Sequence, residues 1–352
     1  MQIDRSALQW PGVPLAHGSA VLFGATAPLA KILLVSISPQ MLAGLLYLGA
    51  GLGLAIVHGT RATLGLAPPE APLRTHDLPW LLAVVVFGGV LGPLLLMLGL
   101  VRAPAASGSL LLNLESLATM GIAWLVFREN VDRRLLLGAA AIILGAIVLS
   151  WEGRGASLDA GAAMIAAACL CWGIDNNLTR NLSSADPVTI AMIKGLAAGS
   201  VNMASAFWLG DTLPSVRLSM LAALLGFFAI GISLVLFVLA LRHLGTARSG
   251  AYFSLAPFIG ALIALALGEP MTLKLAIAAL LMALGLWLHL TERHEHEHVH
   301  EALAHEHRHV HDEHHRHPHD GPVTEPHSHW HEHAPVRHKH PHYPDLHHRH
   351  RH

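Results

Sequence analysis

The sequence predicts an all-α integral membrane protein: ten transmembrane helices arranged as two inverted five-helix repeats, followed by a disordered His-rich C-terminal tail. Three observations carry that prediction. Apolar residues make up 53% of the chain and charged residues only 13%, too little charge for a soluble protein of this size. Ten stretches follow one another at about 20 apolar residues, the length that spans a bilayer core. Landmarks of residues 15–151 recur in the same order over 158–290.

The elements follow in order. Residues 1–14 read as a cytoplasmic N-terminus, since Asp4, Arg5, Trp10, Pro11 and Pro14 come without a basic n-region or cleavage-like site. The first copy has segments at 15–35, 39–58, 78–101, 106–127 and 134–151; the second has 158–182, 187–209, 218–241, 248–268 and 272–290. Short punctuation such as SISP, REN, SSADP and GEP separates them. Residues 59–77, with Pro68, Pro69 and Pro72, form the one long internal connection.

The repeat rests on several marks in one order. Phe23-Gly24 precedes Pro28 and Lys31, and 149 residues later Trp172-Gly173 precedes Asn177 and Arg180. Pro39 and Pro187 open the second segment of each copy, Ser107-Gly108 matches Ser249-Gly250, and Glu129 with Gly145 matches Glu269 with Gly285 at a common spacing of 16. Five spans per copy force the copies to run in opposite senses, and such a pair encloses a midplane site whose access alternates. With the N-terminus inside, ten arginines fall at cytoplasmic ends against Arg102, Arg154, Arg217 and Lys274 outside. That predicts a multi-pass protein of the cell (inner) membrane with both termini cytoplasmic.

These marks resemble a known family. The [Phe/Trp]-Gly opening of each copy, Leu114-Glu115 in the fourth segment ending at Phe127-Arg128-Glu129, and Ala256-Pro257 ending at Leu267-Gly268-Glu269 are similar to the EamA-type transporters of the drug/metabolite transporter superfamily. Ser116 stands where the family usually has proline, and Arg128 replaces the usual glycine. The resemblance covers about residues 15–290 and implies secondary transport, often export, of small metabolites, amino acids or drugs.

Composition narrows the function from the other side. Net charge near zero argues against nucleic acid. No GxxxxGK[ST] loop, Gly-x-Ser-x-Gly elbow or His-Glu-x-x-His pair occurs in the body, so neither ATP-driven pumping nor a membrane hydrolase is expected, and no cofactor is required. The chain reads as a carrier, not an enzyme.

Polar residues at membrane depth are the site candidates, because an acid in a lipid-spanning helix is expensive and usually functional or paired. They are Asn113 and Glu115 in the fourth segment, Asp175, Asn176 and Asn177 in the sixth, and Lys194 and Asn202 in the seventh, with Trp172 as the neighbouring aromatic. Asp175 and Lys194 lie at a similar depth, so they pair either as a structural clamp or as a substrate or proton site. Glu115 lies near the centre of its segment, where it serves a proton-coupled carrier or bonds to backbone or Asn113. Gly49/Gly53, Gly88/Gly92 and Gly195/Gly199 have small-xxx-small spacing and read as packing marks. Cys169 and Cys171 read as small core residues.

Residues 291–352 cannot bury a core. Residues 294–352 hold 23 of the 28 histidines, so the His-x-His runs are concentrated outside the body. His294, His296, His298, His300, His305, His307, His309, His311, His314, His315, His317, His319, His327, His329, His331 and His333 are the candidate metal ligands, suited to zinc, nickel, cobalt or copper. The sequence thus points to a carrier with lipid, a small solute and tail-bound divalent metal as partners, as a monomer or homodimer. Two other readings stand beside it: a divalent transition-metal (Ni/Co/Zn) efflux permease, and a membrane-tethered metal sensor or store.

Overall fold

The computed structural model describes residues 12–65, 73, 75–127, 133–151, 159–179, 182, 186–244 and 252–290, and four tail segments, 295–299, 303–309, 327–333 and 337–341. The body is helical. Helices α1 (Gly12–Gly24) and α2 (Thr26–Leu33) form one span, interrupted at Ala25. Pro28 has no N–H with which to answer the Gly24 carbonyl, so the helix ladder lacks a bond there. Helix α3 (Pro39–Thr63) follows, capped by Ser38, whose Oγ accepts from the Met41 N–H at 3.3 Å. The third span is built of a short 3₁₀ turn (Thr75–Asp77), α4 (Leu78–Val84), a π-helical segment (Val85–Leu91) and α5 (Gly92–Arg102). The fourth is α6 (Ala105–Leu111) and α7 (Leu114–Phe127), and the fifth is α8 (Arg133–Ser150).

The second copy repeats the plan. Helix α9 (Ala160–Thr179) starts on Asp159, and α10 (Pro187–Trp208) starts on Asp186, which accepts from the N–H groups of Val188 and Thr189 at 3.0 and 3.2 Å. Then come α11 (Val216–Gly226), a second π-helical segment (Phe227–Ile232), α12 (Ser233–Leu244), α13 (Ala256–Ala266) and α14 (Leu273–Leu290). A capped proline thus opens the second helix of each copy, and a π segment interrupts the third helix of each.

Among the described residues, eight helices are long and apolar enough to cross a membrane. Two of the ten expected spans lie outside that set. Helix α9 has 20 residues, but Asp175, Asn176 and Asn177 dilute its apolarity, and α13 has only 11 residues.

The copies interlock at glycines. A Cβ on Gly24 would stand 2.5 Å from the carbonyl oxygen of Ala256 in α13, and one on Gly173 would stand 2.7 Å from the Ala118 Cβ in α7. The glycine of each [Phe/Trp]-Gly mark therefore lets the first helix of one copy cross the fourth helix of the other. Helices α3 and α10 pack along their lengths, with Gly195 against the Gly51 backbone and Gly199 against that of Leu48. Gly268, at φ +102°, turns the chain so that the Glu269 carboxylate accepts from the N–H groups of Ala105 and Ala106 at 2.7 and 2.8 Å. One copy thereby caps the fourth helix of the other, where the partial positive charge of a helix start favours an anion. Its repeat partner Glu129 lies outside the described residues.

The tail differs from the expected disorder. Its described segments are strands: β1 (Glu295–Val299) pairs antiparallel with β4 (Arg337–Pro341), and β2 (Leu303–His309) with β3 (His327–His333). Antiparallel pairing satisfies backbone N–H and C=O groups within these segments.

Candidate functional site

Three consecutive polar residues on α9 point about 100° apart, so each meets a different neighbour. Asp175 is buried and faces α10, where Lys194 Nζ donates to its Oδ2. Thr179 Oγ1, one turn on, donates to Asp175 Oδ1 at 3.3 Å. Asn176 faces α7 and donates from Nδ2 to Glu115 Oε1 at 3.0 Å and to Thr119 Oγ1 at 3.1 Å. Asn177 is buried and donates to the carbonyls of Thr119 at 3.0 Å and Gly173 at 2.8 Å, tying α9 to the α7 backbone.

The π segment of the third span closes the site. Widening of the helix there leaves carbonyls for partners outside the i→i−4 ladder. The Gly88 carbonyl takes two donors, Tyr47 Oη at 2.9 Å and Trp172 Nε1 at 3.0 Å. Asn202 Nδ2 lies 3.4 Å from the Gly89 carbonyl oxygen and 3.5 Å from that of Val90, and Gln40 Nε2 donates to Asn202 Oδ1 at 3.4 Å. A Cβ on Gly88 would collide with the Asp175 carboxylate and stand 2.6 Å from Lys194 Nζ. The missing side chain is therefore the seat of the ion pair.

Of the expected site residues, Asp175, Lys194, Trp172 and Asn202 gather around the π segment, while Glu115, Asn176 and Asn177 join across α7 and α9. Asn113 does not join them: it is buried, donating to the Leu110 carbonyl at 2.8 Å with Met282 Sδ at 3.9 Å. Tyr47, Gln40, Thr119 and Gly88 complete the constellation without having been singled out for it. Gly88 was legible only as half of a Gly-xxx-Gly packing mark, and Tyr47 only as a lone phenol in mid-span. Two further aromatics of the spans, Trp124 and Tyr252, lie elsewhere, Trp124 exposed and Tyr252 with its ring 4.7 Å from that of His17.

Metal chemistry finds no purchase in the bundle. Among the described residues no three His, Cys, Asp or Glu side chains gather as a metal would require. His17 and His289 lie at 2.9 and 3.1 Å from the backbone carbonyl oxygens of Val13 and Leu135. Cys169 and Cys171 are free and buried.

The ion pair is costly to remove by halves. Two charges held against apolar helices are stable as a pair, and deleting one partner of a buried pair costs about 3–5 kcal/mol. A carrier gains from that property, because whatever replaces one partner must bring its own charge or proton.

A duplicated bundle of membrane-length helices that keeps an ion pair and a second acid between its copies has the build of a multi-pass membrane transporter. The chain belongs to the EamA-like transporter family, which it matches over residues 10–151 and again over 159–291. It is 31% identical over 278 residues to an uncharacterized transporter of Methanothermobacter thermautotrophicus, covering 74% of this chain and 81% of that protein. It is 23% identical over 280 residues to the uncharacterized transporter YyaM of Bacillus subtilis, covering 74% and 88% of the two chains. A solved crystal structure that shares 19% identity superposes with a TM-score of 0.58 over 81% of this chain and 96% of that one, a likeness of fold.

Proposed function

We propose that this membrane transporter is a ten-span secondary carrier that exports a small metabolite, amino acid or drug by alternating access of two inverted repeats, residues 15–151 and 158–290. It resides in the inner membrane with both termini cytoplasmic, as a monomer or homodimer. Its His-rich tail, 291–352, binds divalent metal and buffers it or regulates the carrier. The reading is supported above all by the Asp175–Lys194 pair, which belongs to the second copy yet sits on Gly88 of the first. Rocking the copies apart must unseat the pair, so a solute or proton that competes for Asp175 or Lys194 couples its own binding to that motion. Glu115 and Asn176 extend the same polar surface toward α7.

Reconstituted into proteoliposomes, the protein is expected to move a solute from a panel of amino acids, nucleosides and cationic drugs. Exchanging the charges, Asp175→Lys with Lys194→Asp, is expected to abolish that flux. Full activity in the swapped protein would reduce the pair to a structural clamp.

A further inference from the structure

Where α7 meets α9, the side-chain hydrogen bonds run inward and use up every donor. Asn176 Nδ2 spends both hydrogens, on Glu115 Oε1 at 3.0 Å and on Thr119 Oγ1 at 3.1 Å. Thr119 Oγ1 donates to the Glu115 carbonyl at 2.9 Å, and Ser116 Oγ donates to the Asn113 carbonyl at 2.8 Å. These side chains keep only acceptors free. Among the described residues no donor reaches Glu115 Oε2 or Asn176 Oδ1. The amide cannot be turned over to offer its donors outward, because its oxygen would then face the Glu115 carboxylate. No charge answers Glu115 either: Lys194 is committed to Asp175, and among the described residues no lysine, arginine or histidine pairs with Glu115. The Asp175–Lys194 pair sums to zero, which leaves the Glu115 carboxylate as the net charge of the site.

The cluster is also within reach. Ser116 and Asn176 are exposed and Glu115 and Thr119 half-buried, although Glu115 stands at the middle of the span Ala105–Val126. Polar groups turned to hydrocarbon at that depth are expensive, so their open side belongs to a water-filled space. Toward the start of the span that space is shut, since residues 108–113 are all buried. Toward its end it stays open, with Thr119 and Ile122, one and two turns on from Glu115, partly exposed on the same face. We infer that this surface takes an ammonium or guanidinium group, so that the carrier selects organic cations. Either group brings several N–H donors and a positive charge to a place that offers acceptors and a negative one. An alcohol brings no charge, and a carboxylate brings only further acceptors. The inference rests on the carrier reading and adds the chemical class of what is carried.

Unfolding temperature of the full-length protein in detergent micelles, at fixed ionic strength, tests this with phenethylamine, agmatine, 2-phenylethanol and phenylacetate. Ligands that bind the folded state raise that temperature with concentration. The two cations are expected to raise it, and the alcohol and the carboxylate to leave it unchanged. E115Q, which keeps an oxygen for Asn176 and therefore its fold, should lose the response, while E269Q should retain it. The probe series on the unaltered protein decides the matter even where a variant folds poorly. A response that survives in E115Q, a response to phenylacetate, or no response to either cation would overturn the cation site. Flux in proteoliposomes separates this from the carrier reading: flux of a neutral or anionic solute without any response to the cations strikes the site and leaves the carrier. A Glu115-dependent response with no flux of any solute, the cations included, strikes the carrier and leaves the site.

Discussion

Asp175 and Lys194 are bonded carboxylate to ammonium over the bare backbone of Gly88, so that a charge pair carried wholly by one copy of the repeat is seated on the other. The equivalent position in the first copy, 149 residues earlier, is Thr26, buried and with its hydroxyl unpartnered. The two halves therefore share a plan of helices but not of charges. The ion pair of the interior falls wholly on the second copy.

Removing one member of the pair separates stability from transport. Asp175→Asn leaves an ammonium with no counter-charge, and since Lys194 keeps some exposure, at 19% of its side chain, the loss should sit at the low end of the range for buried pairs, about 3 kcal/mol. A lowered unfolding temperature in detergent measures it. The double variant Asp175→Asn with Lys194→Met should recover most of that stability while remaining inactive.

Gly88 admits no side chain. Gly88→Ala drives a methyl group into the Asp175 carboxylate, an overpacking expected to cost about 1–3 kcal/mol and to depress flux. Gly59→Ala provides the control, because nothing lies within 4 Å of a Cβ there. Equal behaviour of the two variants would remove Gly88 from the site.

Glu115→Gln keeps an oxygen to accept from Asn176 but loses the titrating carboxyl. If Glu115 carries a coupling proton, flux through this variant becomes independent of pH between the two sides of the membrane. An unchanged pH profile would assign Glu115 to the Asn176 hydrogen bond alone.

Glu269→Ala strips the start of α6 of two charge-assisted bonds, to Ala105 and Ala106. Loss of a helix cap costs about 1 kcal/mol. The effect should appear as a small drop in unfolding temperature, with Glu269→Gln intermediate, and solute affinity should be unaltered.

Much of this was legible from residues alone. Apolar stretches and repeated landmarks placed the helices of the body, and the shared depth of Asp175 and Lys194 anticipated their pairing. Helices α9 and α13 show the limit of hydropathy: one is diluted by its own site residues, the other shorter than its apolar segment. The partner of Glu115 was not legible, because Asn113, close in sequence, turns to the Leu110 carbonyl while Asn176, 61 residues away, supplies the bond. The π segment was also hidden, since Val85–Leu91 reads as ordinary apolar helix.

By itself the sequence determined that the chain lives in a membrane, that it is a duplication and that its acids at depth are few. These follow from length, hydropathy and order, which are properties of single segments. Only the tertiary structure decided that Gly88 seats the ion pair, that Tyr47 and Trp172 share its carbonyl, and that Gly24 and Gly173 are crossing points between copies. The physical reason is rotational: adjacent residues on a helix diverge by about 100°, so which neighbour each one meets depends on where distant helices cross, and hydropathy does not record that.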